Sequence, residues 1–326
     1  MSDFNTRLKE RIGPLLDNLE RNRIELLALR SKAVKKWLAL SPFFIIFAVG
    51  IGFLGVPMPF ALIGGVVIYC ITGLIMYSKM TGDTAAHFEH GYKINLVGGI
   101  AKFLQPRMEY YPYKGISKSL FKSSGHYNSS IDRYSSEDMF SGTIGETEVM
   151  FSEVLAERED ESTDSDGNKR TTWVTVFRGV FFGADFNKHF STWVTVRPDN
   201  ETDGFFGWIG KTMEKLRSNV VKLENPEFEQ HFRVQAGDDM QARYILTPDM
   251  QERLLDLRQN LGGKMILSFQ RSNVYITVPK SKNWFEPNAK ISVHSDAQIN
   301  KLANQMHTFF SIVEMLNLNT RIWTKE

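Results

Sequence analysis

The chain has a single cysteine, Cys70, among its 326 residues, and that cysteine lies inside an apolar run. No disulfide can therefore form within the chain, which fits a reducing compartment. Charge of one sign is also not in excess: 39 Lys and Arg residues stand against 37 Asp and Glu residues, a formal net charge of +2. Because nucleic-acid binding usually requires a strong positive excess, the composition predicts no nucleic-acid partner.

Two stretches lack charge altogether. Residues 37–54 and 60–77 contain no Asp, Glu, Lys, Arg or His, and only residues 55–59, with two prolines, separate them. A helix needs about 17–25 residues to cross a hydrocarbon core. The sequence therefore predicts a transmembrane helical hairpin over residues 37–77. A buried helical pair in a soluble fold is the alternative, but a polar face should then interrupt the runs.

The residues that flank the hairpin predict its orientation. Lys32, Lys35 and Lys36 precede the first run, Lys79 follows the second, and the connector carries no charge. Positive charge at both outer ends predicts that both termini are cytoplasmic, in a multi-pass protein of the inner membrane. Aromatic residues at the same ends are expected at the lipid–water interface, and small residues four apart are expected to line a close helix–helix seam. The aromatic residues are Trp37 and Tyr77, and the small residues are Ala48, Gly52, Ala61 and Gly65.

Residues 1–36 are predicted to form an amphipathic juxtamembrane helix. Gly13-Pro14 should break it, since proline suits only the first turn of a helix, so a continuous helix is expected from Pro14. A coiled-coil-like seam then recurs at steps of four and three. Its partner could be a second copy of the chain, the soluble domain or the membrane surface. The seam consists of Leu15, Leu19, Asn22, Leu26, Leu29 and Ala33.

Residues 78–326 are predicted to form a cytoplasmic α+β domain, in which helices pack on antiparallel strands. The helices are expected over residues 83–104, from Pro248 to a stop before Gly262-Gly263, and after the capping box at residues 295–298. Residues 105–142 are expected to be loops with short helices. The predicted strands are residues 143–157, 171–182, 190–197, 219–223, 228–235, 264–270 and 274–279.

Several short motifs in this domain resemble a known family. They are Asp132-Arg133-Tyr134-Ser135, Phe140-Ser141-Gly142, Phe151-Ser152-Glu153, Phe177-Arg178-Gly179, Asp185-Phe186-Asn187-Lys188, Glu224, Phe228, residues 242–248 and residues 316–319. As a set they are similar to the bacterial family of domains of unknown function numbered 3137, and the likeness extends from the N-terminal helix to the end of the chain. The resemblance implies a bacterial membrane-anchored protein of unresolved role, and it brings no catalytic residues.

No catalytic, cofactor or metal site is predicted. The candidates by residue type are His126 beside Ser123-Ser124, and His294 between Ser292 and Ser295-Asp296, but neither lies in a known catalytic context. His87 and His90 share a helix face, and two ligands are too few for a metal site. The segment at residues 164–168 is similar to a calcium loop by letter, but it lacks the required ligands at its first and twelfth positions.

One segment predicts membrane contact. Residues 203–210 place large apolar side chains in a glycine-rich stretch, and cations follow, a combination that suits an anionic lipid interface. The alternative is that the aromatic side chains fold inward and cap the sheet. The possible membrane-contact loop consists of Phe205, Phe206, Trp208, Ile209 and Lys211.

The sequence thus predicts an integral inner-membrane protein that presents a cytoplasmic binding or scaffold domain. Its expected partners are the lipid bilayer and an unknown protein, and a second copy of the chain through the N-terminal helix is a further alternative. An enzyme with an unrecognised site and a subunit of an oligomeric transport assembly are the alternatives. Transport is less favoured because intramembrane charges usually mark ion pathways.

Overall fold

The computed structural model describes residues 2–163, 169–186, 188–199 and 219–319. Within them the chain has the predicted α+β fold, in which long N-terminal helices are followed by an antiparallel sheet with helices. The chain divides into two compact units. The helical unit holds Met1–Ile100 with Glu286–Lys301, and the sheet unit holds Ala101–Phe285 with Leu302–Glu326. The domain boundaries at residues 36 and 77 stay predictions.

The helical unit is built on two long helical arms. The first arm contains α1 (Ser2–Ala39) and α2 (Ser41–Phe53). The second contains α3 (Met58–Gly91), a π-helical segment (Tyr92–Val97) and α4 (Gly98–Leu104), whose last four residues belong to the sheet unit. The helical stretch that contains the apolar span has 48 residues in the first arm, from Thr6 to Phe53, and 47 in the second, from Met58 to Leu104. At 1.5 Å per residue each is about 70 Å long, more than twice the thickness of a hydrocarbon core.

Within the helical unit the arms run antiparallel and contact each other at several points along their length. Ile12 lies against Gly99 far from the turn, Leu19 lies against Gly91, and Ala48 lies against Gly65 near the turn. A Cβ atom added to these glycines would come within 3.2, 3.1 and 2.8 Å of the opposing side chain, respectively. The glycines therefore let the arms approach closely.

The predicted small-residue seam is confirmed for three of its four members. Ala48, Ala61 and Gly65 are buried between the spans. Gly52 is half-buried, with the Met58 side chain beside it.

The predicted break at Gly13-Pro14 is wrong, because α1 runs without interruption through Pro14. Proline removes one backbone hydrogen bond inside a helix. Here Pro14 is on the exposed side, while Ile12 and Leu16 are buried on the other side and hold the helix against its neighbour. Tertiary packing therefore outweighs the local effect of proline.

The apolar side of α1 also differs in part from the predicted seam. Leu15 is 48% exposed, so its assignment to the seam was wrong. The buried side chains include three predicted ones and three that lie further towards the N-terminus. They are Leu8, Ile12, Leu16, Leu19, Leu26 and Ala33. Since contacts within one chain already bury them, self-association through this helix stays a prediction and would need other residues.

The sheet unit contains nine described strands, all paired antiparallel. Their order across the sheet is β1-β2-β3-β4-β9-β8-β5-β7-β6. The strands are β1 (Met108–Tyr111), β2 (Arg133–Ile144), β3 (Thr147–Thr163), β4 (Lys169–Asp185), β5 (Trp193–Pro198), β6 (Val220–Val221), β7 (Phe232–Ala236), β8 (Ile266–Gln270) and β9 (Asn273–Pro279).

Several helices accompany the sheet. Thr247 caps one of them as predicted, since its Oγ1 accepts a hydrogen bond from the Met250 amide at 3.4 Å. The apolar side of the C-terminal helices is buried as predicted, from Ile299 to Leu316. The helices are α5 (Lys118–Ser123), α6 (Pro226–His231), α7 (Asp239–Ile245), α8 (Pro248–Asn260), α9 (Asp296–Phe310) and α10 (Ile312–Met315).

Some predicted elements of this unit were wrong. Residues 105–142 contain β1 and most of β2 rather than loops, and the turn at Gly145-Glu146 divides the strand predicted over residues 143–157. β3 extends to Thr163 and β4 begins at Lys169, where a loop was expected. These residues are polar and exposed on both faces, so the period-two alternation that indicates a strand is absent. Phe228 lies in α6 instead of a strand.

Candidate functional site

The helical unit exposes a continuous apolar surface on both sides of its turn. Only 6% of the most apolar 18-residue window of the first arm is buried, and 17% of that of the second. Ile46 and Leu74, for example, are 71% and 72% exposed. A core helix of a soluble protein would be mostly buried, so the exposure argues against the soluble alternative. Both helices are long and apolar enough to cross a membrane.

Trp37 contacts the other arm, and its predicted place at the lipid–water interface stays a prediction. Its indole stacks on the ring of Tyr69, and its Nε1 donates to the Tyr69 carbonyl at 3.0 Å. Gly73 makes this contact possible, since a Cβ there would lie 2.3 Å from Trp37 Nε1. The polar atom of the indole is therefore satisfied between the helices.

In the sheet unit, a small polar cavity of about 110 Å³ lies where β2, β3 and β4 pass beside the segment after β9. Glu137 of β2 and Glu153 of β3 line it and are direct cross-strand partners. A β-bulge follows Glu137, and Asp138 there has a φ of 53°, in the left-handed region. Strained residues of this kind often occur at functional sites.

The partners of the carboxylates of this site include three neutral donors. Tyr110 Oη donates to Asp138, the Asn283 amide donates to Glu137 Oε1 at 3.0 Å, and the Trp284 backbone amide donates to Glu153 Oε1 at 2.6 Å. Carboxylate oxygens of Glu137, Asp138 and Glu153 lie within 4.8 Å of one another. By ligand type these are the residues that could hold a divalent cation.

Cations line the other side of the same cavity. Arg178 Nη2 donates to Asn283 Oδ1 at 3.1 Å, and Lys280 Nζ lies 4.7 Å from the centroid of the Trp284 ring. Burial lowers the pKa of Lys280. Among the described residues, neither these two cations nor Lys282 has an ion pair with a carboxylate. Asn283 bridges Arg178 and Glu137, so side chains of opposite charge line the same cavity.

The sequence reading missed this cavity, although one signal was present. Glu137 and Glu153 are nearly equidistant from Gly145-Glu146, the turn between β2 and β3. A regular hairpin about that turn would have placed Asp138 opposite Glu153, and the bulge after Glu137 shifts the register by one residue so that Glu137 takes this position. The strand prediction ran through the turn instead, and so separated them.

A second, more open cavity of about 340 Å³ lies beside α7 and α8. Its lining includes Glu224, Arg243, Leu246 and Pro248, which belong to the motifs of the family resemblance. The Arg243 guanidinium already pairs with Asp239 at 3.0 Å. This cavity is mostly apolar and its cation is satisfied, so the first cavity has the more distinctive chemistry.

His126 is placed where it cannot act on an external substrate. It is fully buried, with Nε2 2.9 Å from Ser268 Oγ and Nδ1 3.1 Å from Thr277 Oγ1. Burial, and next the charge of Arg197, hold the pKa of His126 well below its usual range, so the ring is neutral. Of the neighbouring serines, Ser124 donates to the Phe121 carbonyl and Ser123 to the Leu120 carbonyl. The arrangement joins strands to a loop.

The other predicted candidates are not brought together into a site. His294 Nε2 lies 3.2 Å from Asp17 Oδ1, and its backbone amide, not its ring, bonds the Ser292 hydroxyl. His87 and His90 are exposed, as expected. The possible membrane-contact loop of Phe205, Phe206, Trp208, Ile209 and Lys211 lies outside the described residues, and so do residues 164–168.

Comparisons with known proteins give one family and one solved structure. The family described as "Protein of unknown function (DUF3137)" matches residues 175–318, which confirms the predicted family there. No curated protein matches the chain. A solved structure, the mycobacterial trehalose monomycolate transport factor A (TtfA), is similar at 9% identity and a TM-score of 0.31, over 68% of this chain and 94% of that one. A TM-score this low supports no argument about function.

Proposed function

Residues 175–318 match the DUF3137 family, whose function is unknown. We propose from the geometry that this chain is a membrane-anchored binding protein. Its α2–α3 hairpin crosses the inner membrane twice, and the sheet unit and both termini are cytoplasmic. The observation that carries the proposal is the exposed apolar surface of the two spans. Water would hydrate that surface at a large free-energy cost, whereas lipid tails would not.

The orientation follows from the basic residues at the outer end of the hairpin. Lys32, Lys35, Lys36 and Lys79 are all exposed, and the turn between the spans carries no charge. Cytoplasmic flanks of transmembrane helices are enriched in lysine and arginine. A role in binding is supported by the polar cavity of the sheet unit, which both acidic and basic side chains line.

Extraction of membranes with alkaline carbonate tests the anchoring. The wild-type chain should remain in the pellet. Replacing Ile46 and Leu74 together with lysine should move it to the supernatant, because a lysine at a helix centre costs about 2.5–3.5 kcal/mol on insertion. Ile24→Lys is the matched control, since Ile24 is also exposed in the helical unit but precedes the apolar run. Release of the wild-type chain by carbonate would overturn the proposal.

Single-cysteine labelling tests the orientation. In a Cys70→Ser background, Val56→Cys reports on the turn and Lys122→Cys on the sheet unit, and both positions are exposed. An impermeant maleimide should label position 56 from the outer side of the membrane and position 122 only from inside-out vesicles. The reverse pattern would refute a cytoplasmic sheet unit.

The partner is the remaining part of the proposal. Crosslinking in intact membranes should capture the same protein repeatedly if the sheet unit is a scaffold. A trapped nucleotide or metabolite together with turnover would favour the enzyme alternative, and large homo-oligomers would favour a transport assembly. Lipid contact by the loop from Phe205 to Lys211 also stays a prediction.

A further inference from the structure

We infer that the open cavity beside α7 and α8 binds a small primary amine, that is, an ammonium group on a short alkyl body. The inference goes beyond the proposed function, because membrane anchoring does not depend on it. It rests on the size and lining of the cavity, on two oxygen acceptors in its wall, and on a wall cation that already has partners.

The size and lining of this cavity suit a small organic molecule. Ligand pockets usually have volumes of about 300–1,000 Å³ and mostly apolar walls with a few polar groups. This cavity has about 340 Å³, and its apolar lining includes Leu223, Leu246 and Pro248. An alkyl body is favoured there because its burial removes apolar surface from water. A simple ion would gain nothing from these side chains.

Glu224 brings negative charge to the wall of the cavity. The residue is exposed and lies just before α6. No described residue forms a hydrogen bond or an ion pair with its side chain. A carboxylate accepts hydrogen bonds and donates none. A positively charged donor in the cavity would therefore complement Glu224.

Gln251 is a second acceptor in the wall, and it is buried. Its side chain is 3% exposed, and its Nε2 donates to the Leu246 carbonyl at 2.8 Å. The other amide atom, Oε1, is also buried and has no hydrogen-bond partner among the described residues. A buried acceptor without a donor is unfavourable. A ligand that donates a hydrogen bond to Gln251 would offset this cost.

The cation in the wall does not require an anionic ligand. Arg243 Nε donates to Asp239 Oδ2 at 3.0 Å, and Arg243 Nη2 donates to the Lys222 carbonyl at 2.6 Å. Asp239 thus balances the charge of Arg243, and the charge of Glu224 remains. An anionic ligand would be repelled by Glu224, whereas an ammonium would be attracted to it.

A primary ammonium fits these observations together. It has three hydrogen-bond donors and no acceptor, so its hydrogens suit both the Glu224 carboxylate and the Gln251 amide oxygen. An alcohol would bring a donor without the charge, and a quaternary ammonium would bring the charge without a donor. The alkyl body of the amine accounts for the apolar part of the lining.

Isothermal titration calorimetry on the whole chain in detergent tests the inference. The probes are n-pentylamine, 1-pentanol and pentanoate, which share an alkyl body and differ in the head group. Pentylamine should bind at least about tenfold more tightly than the other two, and Glu224→Gln should weaken its binding about tenfold, as loss of a charged hydrogen-bond partner does. Glu227→Gln, at an exposed position outside the lining, should leave the binding unchanged.

A second variant tests the buried acceptor. Gln251→Met removes Oε1 and should also weaken the binding of pentylamine. Melting curves establish whether this variant folds. If it does not, Glu224→Gln decides the question alone, because an exposed glutamate can be replaced without loss of the fold.

Four results would overturn the inference: pentylamine does not bind, the three probes bind equally, Glu224→Gln binds pentylamine as the wild type does, or Nα-acetyl-lysine methylamide binds more tightly than pentylamine. The last result would assign the cavity to a lysine side chain of a protein instead of a free amine. Carbonate extraction measures anchoring separately, so a negative titration with a carbonate-resistant protein refutes the amine and leaves the proposed function intact.

Discussion

Trp37 and Tyr69 bind each other reciprocally across the helical hairpin. Their ring centroids are 4.8 Å apart with 18° between the ring planes. Trp37 Nε1 donates to the Tyr69 carbonyl at 3.0 Å, and Tyr69 Oη donates to the Trp37 carbonyl at 3.2 Å. The polar side-chain atom of each residue thus bonds the backbone carbonyl of the other residue, in a largely apolar segment. These two bonds fix the register of the two spans.

Each hydrogen bond of this pair should contribute measurably to the stability of the hairpin. Trp37→Phe removes the indole donor and Tyr69→Phe removes the hydroxyl donor, and each substitution leaves in place the backbone carbonyl that the other residue uses. Interhelical hydrogen bonds in membranes contribute about 0.6 kcal/mol on average and up to about 2 kcal/mol. Unfolding in SDS titrations should therefore show a loss of stability in that range for each variant. Wild-type stability in both variants would contradict the reciprocal contact.

Gly73→Ala should destabilise the hairpin because the added methyl would lie 2.3 Å from Trp37 Nε1. Overpacking of this kind costs about 1–3 kcal/mol. Gly64→Ala is the matched control, since a Cβ at Gly64 has nothing within 4 Å. The SDS concentration at half unfolding should fall for Gly73→Ala alone. Equal shifts for both variants would show that helix propensity, not the contact with Trp37, decides the outcome.

The hairpin was predictable because its signal is local. Its length and lack of charge follow from residues 37–77 alone, and so does the close approach at Ala48 and Gly65. The role of Trp37 was not predictable in this way. It depends on which residue of the other arm lies opposite, and the turn geometry sets that.

The cavity illustrates the same limit in the sheet unit. The strands that carry Glu137 and Glu153 were missed or misplaced because polar residues facing a cavity replace the apolar alternation of an ordinary strand. Helix signals survived better: Thr247 caps its helix, and the stripe from Ile299 to Leu316 is buried as predicted. The buried face of a helix recurs with a period that the sequence displays directly. The pairing of strands that are distant in the sequence shows no such local period.

His126 should make the sheet unit less stable in acid. Its pKa is lowered in the folded protein by burial, while the unfolded chain takes up a proton near pH 6.5. Below that pH the unfolded state binds more protons than the folded state, so the free energy of unfolding falls as the pH falls. The slope for one proton is at most about 1.4 kcal/mol per pH unit.

Urea unfolding of the full-length protein between pH 8 and pH 5.5 measures this effect. His126→Gln should flatten the pH dependence over that range, even if it lowers stability overall. His87→Gln is the control, because His87 is exposed and bonds only a backbone carbonyl of its own helix, that of Asp83. An unchanged slope in His126→Gln would contradict a neutral buried ring.

Glu20 should hold residues 286–301 onto α1 within the helical unit. Its carboxylate accepts from Arg23 Nε at 2.9 Å and Nη2 at 2.7 Å, and also from the Val293 backbone amide at 3.0 Å. The bond from Arg23 is the main cause that lowers the pKa of Glu20 to about 2. Glu20→Gln should therefore weaken the attachment and speed hydrogen exchange of the Val293 amide, read by mass spectrometry at neutral pH.

In the wild type, the stabilisation should persist above about pH 4.5 and be lost as the pH falls towards 2. Glu25→Gln, at an exposed position of the same helix, should leave the exchange unchanged, and equal exchange in Glu20→Gln and wild type would refute the role of Glu20.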